Sequence, residues 1–214
     1  MEITLDPEFT AALSRFGMEI PEDQAAQLQH YAHLVWAWNE RINLTRHTTW
    51  DLFVGRDLLD SIHLASLLEL NEQVLDLGSG GGVPGIPLAI LRPDVKMSLA
   101  ESVGKKSKVL DEIISDLNLP VNVYAARGED LLEDFGFDTI TARGVGSLKK
   151  LCTWLAPHFS EFKRLLVLKG PRWPEERAEA RHVGLLKGLE LRKRVGYAMP
   201  NTDGESVILE IWRA

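Results

Sequence analysis

Cysteine is nearly absent from this chain. Cys152 is the only one in 214 residues, so no disulfide can form within the chain, and the usage suits a reducing compartment. No charged-then-apolar leader opens the sequence and no apolar run reaches membrane-spanning length, so the expectation is a cytoplasmic protein without a membrane segment. Repeats and low-complexity tracts are missing as well. His30 and His33 lie one helical turn apart, but no cysteine or carboxylate cluster completes a zinc set, and no metal is expected. There is no G-x-x-x-x-G-K-[ST]: Gly104-Lys105-Lys106-Ser107 lacks the upstream glycine, which disfavours phosphate-loop NTPase chemistry. None of Tyr31, Tyr124 or Tyr197 has a lysine four residues later, so the tyrosine–lysine pair of short-chain dehydrogenases is missing. Cys152 falls in an amphipathic helical pattern rather than a nucleophile loop, which leaves covalent pyrimidine C5 chemistry without support.

Glycine, by contrast, is concentrated. Residues 74–90 read VLDLGSGGGVPGIPLAI: an apolar strand carrying Asp76, glycines at 78, 80, 81, 82 and 85, then an apolar helix begun by Pro84. Residues without a Cβ let backbone approach a ligand and adopt positive φ, and the free N–H groups of a helix start face into the same loop. Two cofactor patterns overlap here. Gly80, Gly82 and Gly85 satisfy the dinucleotide fingerprint G-x-G-x-x-G. Asp76-x-Gly78-x-Gly80-x-Gly82 resembles the first motif of S-adenosylmethionine-dependent methyltransferases, in which the strand-end acid lies near the methionine part of the cofactor and the glycines accommodate its body. A strand-like stretch at 96–102 brings Glu101 to its end, 23 residues after Gly78, where a carboxylate can accept hydrogen bonds from ribose hydroxyls under either reading.

Charge is unevenly spread. The net charge of −7 divides into −13 over residues 1–140 and +6 over residues 141–214. An acidic protein polarised in this way can still present a basic face to phosphates, and a merely solvated basic surface would look the same. The basic inventory is Lys149, Lys150, Lys163, Arg164, Arg172, Arg181, Lys187, Arg192, Lys193 and Arg194.

Periodicity predicts helices at 6–16, 21–39 and 57–70, then strands at 73–78, 96–101, 121–126, 137–142 and 163–169 connected by helices at 84–91, 104–118, 147–159 and 174–188. Two last strands, near 190–198 and 205–213, are joined through the turn-forming run 200–204. The expected fold is α/β: a Rossmann-like, seven-stranded class I S-adenosylmethionine-dependent methyltransferase domain over residues 71–214, preceded by a helical extension over 1–70. A terminal hairpin of this kind speaks against a dinucleotide enzyme.

Several short strings resemble one family along nearly the whole chain, the glucose-inhibited division protein B family of bacterial ribosomal RNA methyltransferases (RsmG). They are Trp38 followed by Asn39-Glu40-Arg41-Ile42-Asn43-Leu44-Thr45, Arg56-Asp57-Leu58-Leu59-Asp60-Ser61, the extended Gly82-Val83-Pro84-Gly85-Ile86-Pro87-Leu88-Ala89-Ile90, Thr141-Ala142-Arg143-Gly144-Val145-Gly146-Ser147-Leu148, and Leu168-Lys169-Gly170. Asp57 stands where the family usually has histidine, Gly144 and Gly146 where alanines are common, and Glu205-Ser206-Val207 where a more basic E-R-H is usual. The resemblance implies methylation of N7 of a guanine in 16S ribosomal RNA of the small subunit or its assembly intermediate, with S-adenosylmethionine as cofactor and no covalent enzyme intermediate. A monomer is expected. The implied cofactor contacts are Gly78 and Val83 in the first loop, Glu101 at the end of the second strand, Gly128 and Glu129 after the third, and Arg143 after the fourth. Asn43, Thr45, Arg56 and Arg143 are expected near the guanine, with Lys169 at the end of the fifth strand. Glu129 also suits a helix start and Asn43–Thr45 a helix terminus. The chain reads Arg143-Gly144-Val145-Gly146 where exocyclic-amine methylases carry [DN]-P-P-[YFW]. Three other functions stay open: a small-molecule methyltransferase with the N-terminal helices as a lid, a non-catalytic cofactor- and RNA-binding assembly factor, and hydride transfer.

Overall fold

The computed structural model describes residues 4–200 and 204–214. Its N-terminal part is helical. α1 (Pro7–Arg15) starts where Asp6 caps it, the Glu8 N–H donating to Asp6 Oδ1 at 2.8 Å. α2 spans Glu22–Asn39. The third expected helix begins earlier than its hydrophobic pattern suggests: a short α3 (Trp50–Leu52), capped by Thr49, widens into a π-helical turn at Phe53–Leu58 and continues as α4 (Leu59–Ala65). Gly55 lies inside that turn, where an added Cβ would come within 2.7 Å of the Phe16 ring. Turns of this rare type interrupt the 3.6-residue period, which is why the pattern reads as a helix starting only at Asp57.

From Gln73 onward strands and helices alternate: β1 (Gln73–Leu77), α5 (Gly85–Leu91), β2 (Lys96–Ala100), α6 (Gly104–Asp116), β3 (Asn122–Tyr124), β4 (Thr139–Arg143), α7 (Leu148–Leu155), β5 (Arg164–Lys169), α8 (Trp173–His182), β6 (Leu189–Ala198) and β7 (Glu205–Arg213). They build one seven-stranded sheet in the order β3-β2-β1-β4-β5-β7-β6, parallel except where β7 runs antiparallel between β5 and β6. Between β3 and β4 a 3₁₀ helix (Gly128–Glu133) provides the crossover. The β6–β7 hairpin forms as expected, although 201–203 of its turn lie outside the described residues.

Apolar side chains cover both faces of the sheet. On one face Phe9, Leu28, Tyr31 and Leu58 from the N-terminal helices form a continuous cluster with Ile86, Leu88 and Ile113 of α5 and α6. The other face packs against α7 and includes Cys152. Burial pushes that thiol up to about 11, so it is a packing residue rather than a nucleophile. The sheet order reverses between β1 and β4, and in open sheets of this kind the crevice for a ligand lies beyond the strand ends at that point.

Candidate active site

A cleft of about 1260 Å³ opens there. Its floor is the loop after β1, which turns sharply through φ values of +71°, +59° and +99° at Gly78, Gly80 and Gly82. Those values lie in the left-handed region that only glycine enters freely. Asp76 fixes the loop from below. Its Oδ1 accepts from Thr141 Oγ1 at 3.1 Å and its Oδ2 from the Gly85 N–H at 3.3 Å, while the Ser79 hydroxyl donates to the Asp76 carbonyl at 2.9 Å. The side chain is fully buried, which raises its pKa to about 6, and it does not line the cleft. Asp76 therefore shapes the loop, whereas the expectation had it near the cofactor itself.

Glu101, at the end of β2, does reach the cleft. Its Oε2 accepts from the Gly80 N–H at 2.9 Å and its Oε1 from the Val103 N–H at 2.8 Å. Each carboxylate oxygen has a second lone-pair site, so the group is held in place with capacity left for hydroxyl donors. Gly78, Gly80 and Val83 line the same side. Gly128 and Glu129 do not line the cleft. Gly128 is packed so closely that an added Cβ would sit 2.9 Å from Leu77 Cγ, and Glu129 pairs with Arg127 at 2.8 Å.

The roof comes from the N-terminal region. Asn39, the last residue of α2, accepts through Oδ1 from the N–H groups of Leu44 (2.8 Å) and Thr45 (3.0 Å), and Thr45 Oγ1 accepts from the His47 N–H at 3.0 Å. This folds the 43–47 segment over the glycine loop. A Cβ on Gly81 would lie 3.0 Å from the Leu44 carbonyl oxygen, so no larger residue fits under that strap. From α2 the buried Tyr31 hydroxyl donates to the Gly81 carbonyl at 2.8 Å. Replacing Tyr31 with phenylalanine leaves that carbonyl unpaired, and a stability loss of about 1–3 kcal/mol is expected, read by urea unfolding. Cofactor affinity should fall in the same variant, because this bond ties the loop to α2.

Beyond the loop, the acceptor side of the cleft carries a buried charge network. The Arg143 guanidinium meets Asp57 Oδ1 and Asp60 Oδ2, both at 2.7 Å. Asp57 Oδ1 also lies 2.7 Å from His47 Nδ1, and the Tyr197 hydroxyl donates to Asp60 Oδ1 at 2.5 Å. Burial followed by the neighbouring Asp60 charge pushes the Tyr197 hydroxyl far above the usual phenol range, which keeps it a donor. Arg143 lines the cleft, and its Nε and one terminal nitrogen serve Asp60 and Asp57. Lys169 is likewise committed, with its Nζ 2.8 Å from Glu176 Oε2 and bonded to the Gly146 carbonyl. Asn43, Thr45 and Arg56 line the cleft as expected. Arg56 differs from the other two cations, since its Nε is shielded from solvent and has no hydrogen-bond partner among the described residues.

Sequence reasoning missed Tyr31, His47, Asp60 and Tyr197 as parts of this site. Asp60 and Asn39 were present in the family-like strings, but the partner of Asp60 on β6 lies 137 residues away in the chain. The basic inventory also needs sorting. Arg164 is internal, bound to Glu72, Glu210, Thr139 and the Leu67 carbonyl. Lys149, Lys163, Lys193 and Arg194 pair with Glu179, Asp138, Glu205 and Glu210. Among the described residues there is no group of three metal-ligating side chains, and no helix is long and apolar enough to cross a membrane.

Comparison with known proteins bears on the same residues. Residues 24–198 match a family model described as rRNA small subunit methyltransferase G. A ribosomal RNA small subunit methyltransferase G from Rhodopirellula baltica is 63% identical over 201 residues, covering 94% of this chain and 87% of that protein. One from Marinobacter nauticus is 32% identical over 203 residues, covering 94% and 92%. Among solved structures, TrmK from M. capricolum, in complex with S-adenosyl-homocysteine, is similar in fold, with a TM-score of 0.54 at 12% identity over 72% of this chain and 67% of that one.

Proposed function

The chain belongs to the rRNA small subunit methyltransferase G family, and from that membership and the cleft we infer that it methylates N7 of a guanine in 16S ribosomal RNA, using S-adenosylmethionine. The observation that carries the reading is the cleft itself: a glycine loop and a fixed carboxylate on one side, and the 43–47 segment of the N-terminal region closing over it. At about 1260 Å³ it exceeds the ~300–1,000 Å³ typical of single-ligand pockets, which leaves room for a nucleoside cofactor and an entering base together.

When bound, the cofactor supplies a methyl group already activated on a sulfonium. Guanine N7 carries an available lone pair at neutral pH, so this chain's residues have no proton to remove. Their task is placement. Glu101 would offer its remaining lone pairs to the ribose hydroxyls, and the Gly78–Gly81 backbone would accommodate the body of the cofactor. Asn43 can give and take hydrogen bonds at a base edge. Arg56, with an unpaired donor, is the residue suited to the methionine carboxylate or an RNA phosphate. Asp57, Asp60, Arg143 and Lys169 are held by ion pairs and form a fixed wall of the cleft against which an entering base would pack. We place the enzyme in the cytoplasm, as a monomer acting on the small subunit or an assembly intermediate, with residues 1–70 as an extension that closes the cofactor domain.

The test is methyl transfer from labelled S-adenosylmethionine to small ribosomal subunits from cells lacking this gene, followed by nucleoside analysis. Label recovered as 7-methylguanosine at one site is expected. Cofactor binding without label in any particle or transcript would instead favour a small-molecule enzyme or a non-catalytic binder. A Glu101→Gln variant should weaken cofactor binding roughly tenfold or more, because a charge-assisted acceptor becomes a neutral one. Calorimetric titration checks this, and unchanged affinity would remove Glu101 from the ribose contact.

A further inference from the structure

Helix α8 separates its charges. Glu176 and Glu179 point toward Lys169 and Lys149, at 2.8 and 3.0 Å. Arg177 and Arg181, one turn apart on another stripe, have no ion-pair partner among the described residues. Together with Lys187, past the helix end, they line a second depression of about 300 Å³ whose remaining walls include Leu189, Leu191 and a single carboxylate, Glu190. Arg177 Nε is shielded from solvent and has no hydrogen-bond partner among the described residues. Three cations gathered around one acid repel one another, and a shielded guanidinium donor without an acceptor is unfavourable. An anion with several acceptor oxygens would resolve both at once.

We infer that this depression is a phosphate-binding exosite beside the cleft, taking the phosphodiester backbone of the RNA substrate outside the pocket that holds the reacting base. The inference rests on the RNA reading above. Position supports it: the depression lies at the Leu189 end of β6, whereas the cleft is lined by Met199 just past the other end. Along α8 the two approach each other, since Glu176 lines the cleft and the next residue, Arg177, lines the depression. An RNA whose base enters the cleft can lay its backbone along α8 into the depression, whereas a free metabolite has no such chain of phosphates. Phosphate contacts of this kind fix register and carry affinity without reading sequence.

The experiment uses the full chain with Arg177, Arg181 and Lys187 all changed to glutamine, compared with wild type after thermal melts establish equal folding. Binding of a fluorescein-labelled 15-residue oligouridylate, which offers no guanine to the cleft, is followed against salt, alongside methyl transfer to small subunits. In the variant, the slope of log affinity on log salt should be shallower by about 1 for each phosphate that is no longer neutralised. It should also show a raised KM for the particle, with kcat and cofactor affinity unchanged. Should the triple variant unfold, Arg181→Gln, at an exposed position, must give the shallower slope by itself. An unchanged slope and KM in a folded variant overturn the exosite. RNA binding by wild type without methyl transfer overturns the catalytic reading alone, and the slopes still decide the exosite. Absence of RNA binding by wild type overturns both.

Discussion

Replacing Arg143 with leucine should destabilise the protein by about 3–5 kcal/mol, the range seen when one member of a buried ion pair is removed. The reason lies in what stays behind. Asp57 and Asp60 are 3% and 6% exposed, and Arg143 is the cation bridging them. Without it, two carboxylates face each other in a partly dry wall, with His47 and Tyr197 as their remaining partners. For a chain of this length the change corresponds to a drop of roughly 6–20 °C in melting temperature. Lysine at the same position keeps the charge but lacks the planar fork that spans both acids, so an intermediate loss is expected. Adding Asp57→Asn and Asp60→Asn to the leucine variant should recover a large part of the stability, since the uncompensated charges are then gone. Calorimetric melts of the four proteins decide the matter. If Arg143 served only to clamp a ligand, all four would melt together and differ in cofactor affinity alone.

That network also shows where sequence reading reaches its limit. The glycine loop was legible because its chemistry is local: five glycines within eight residues, a strand-end acid, and an apolar helix immediately after. The alternation of strands and helices from Gln73 onward was legible for the same reason, as a pattern repeated inside short windows. Arg143 was found, but its ion pairs were not, since Asp57 and Asp60 lie 86 and 83 residues earlier and nothing in the intervening chain announces the pairing. Asp57 stood out as a departure from the family's usual histidine, and the structure puts His47 against it at 2.7 Å. The π-helical turn at Phe53–Leu58 was likewise hidden, because one extra residue per turn shifts the apolar stripe off its period. Gly128 and Glu129 were placed by resemblance at the end of a strand. β3 stops at Tyr124, and the 3₁₀ helix that follows turns Gly128 inward against Leu77.

Asp76 should make the protein less stable as pH rises from about 4 to about 6, against the direction most carboxylates impose. Burial raises its folded-state pKa from 3.8 to about 6, the hydrogen bonds from Ser79, Thr141 and Gly85 offsetting only part of the desolvation. Below pH 4 both folded and unfolded chains carry the proton, and no penalty exists. Between pH 4 and 6 the folded chain keeps a proton that the unfolded chain has lost, so stability falls with rising pH. Above pH 6 both are ionised and the full penalty persists, on the order of 3 kcal/mol for a shift of about two units. Asp76→Asn removes the titration while keeping the fit. The amide oxygen can accept from the Gly85 N–H, and the amide nitrogen can donate to a rotated Thr141 hydroxyl. The quantity to measure is the difference in unfolding free energy between variant and wild type, at pH 4 and at pH 7.5. It should move in favour of the variant by about 2–3 kcal/mol across that interval, while every other titrating group cancels in the subtraction. A difference that stays level would mean that Asp76 is solvated or paired well enough to ionise normally, and that the loop above it is held by its glycines and by Tyr31 alone.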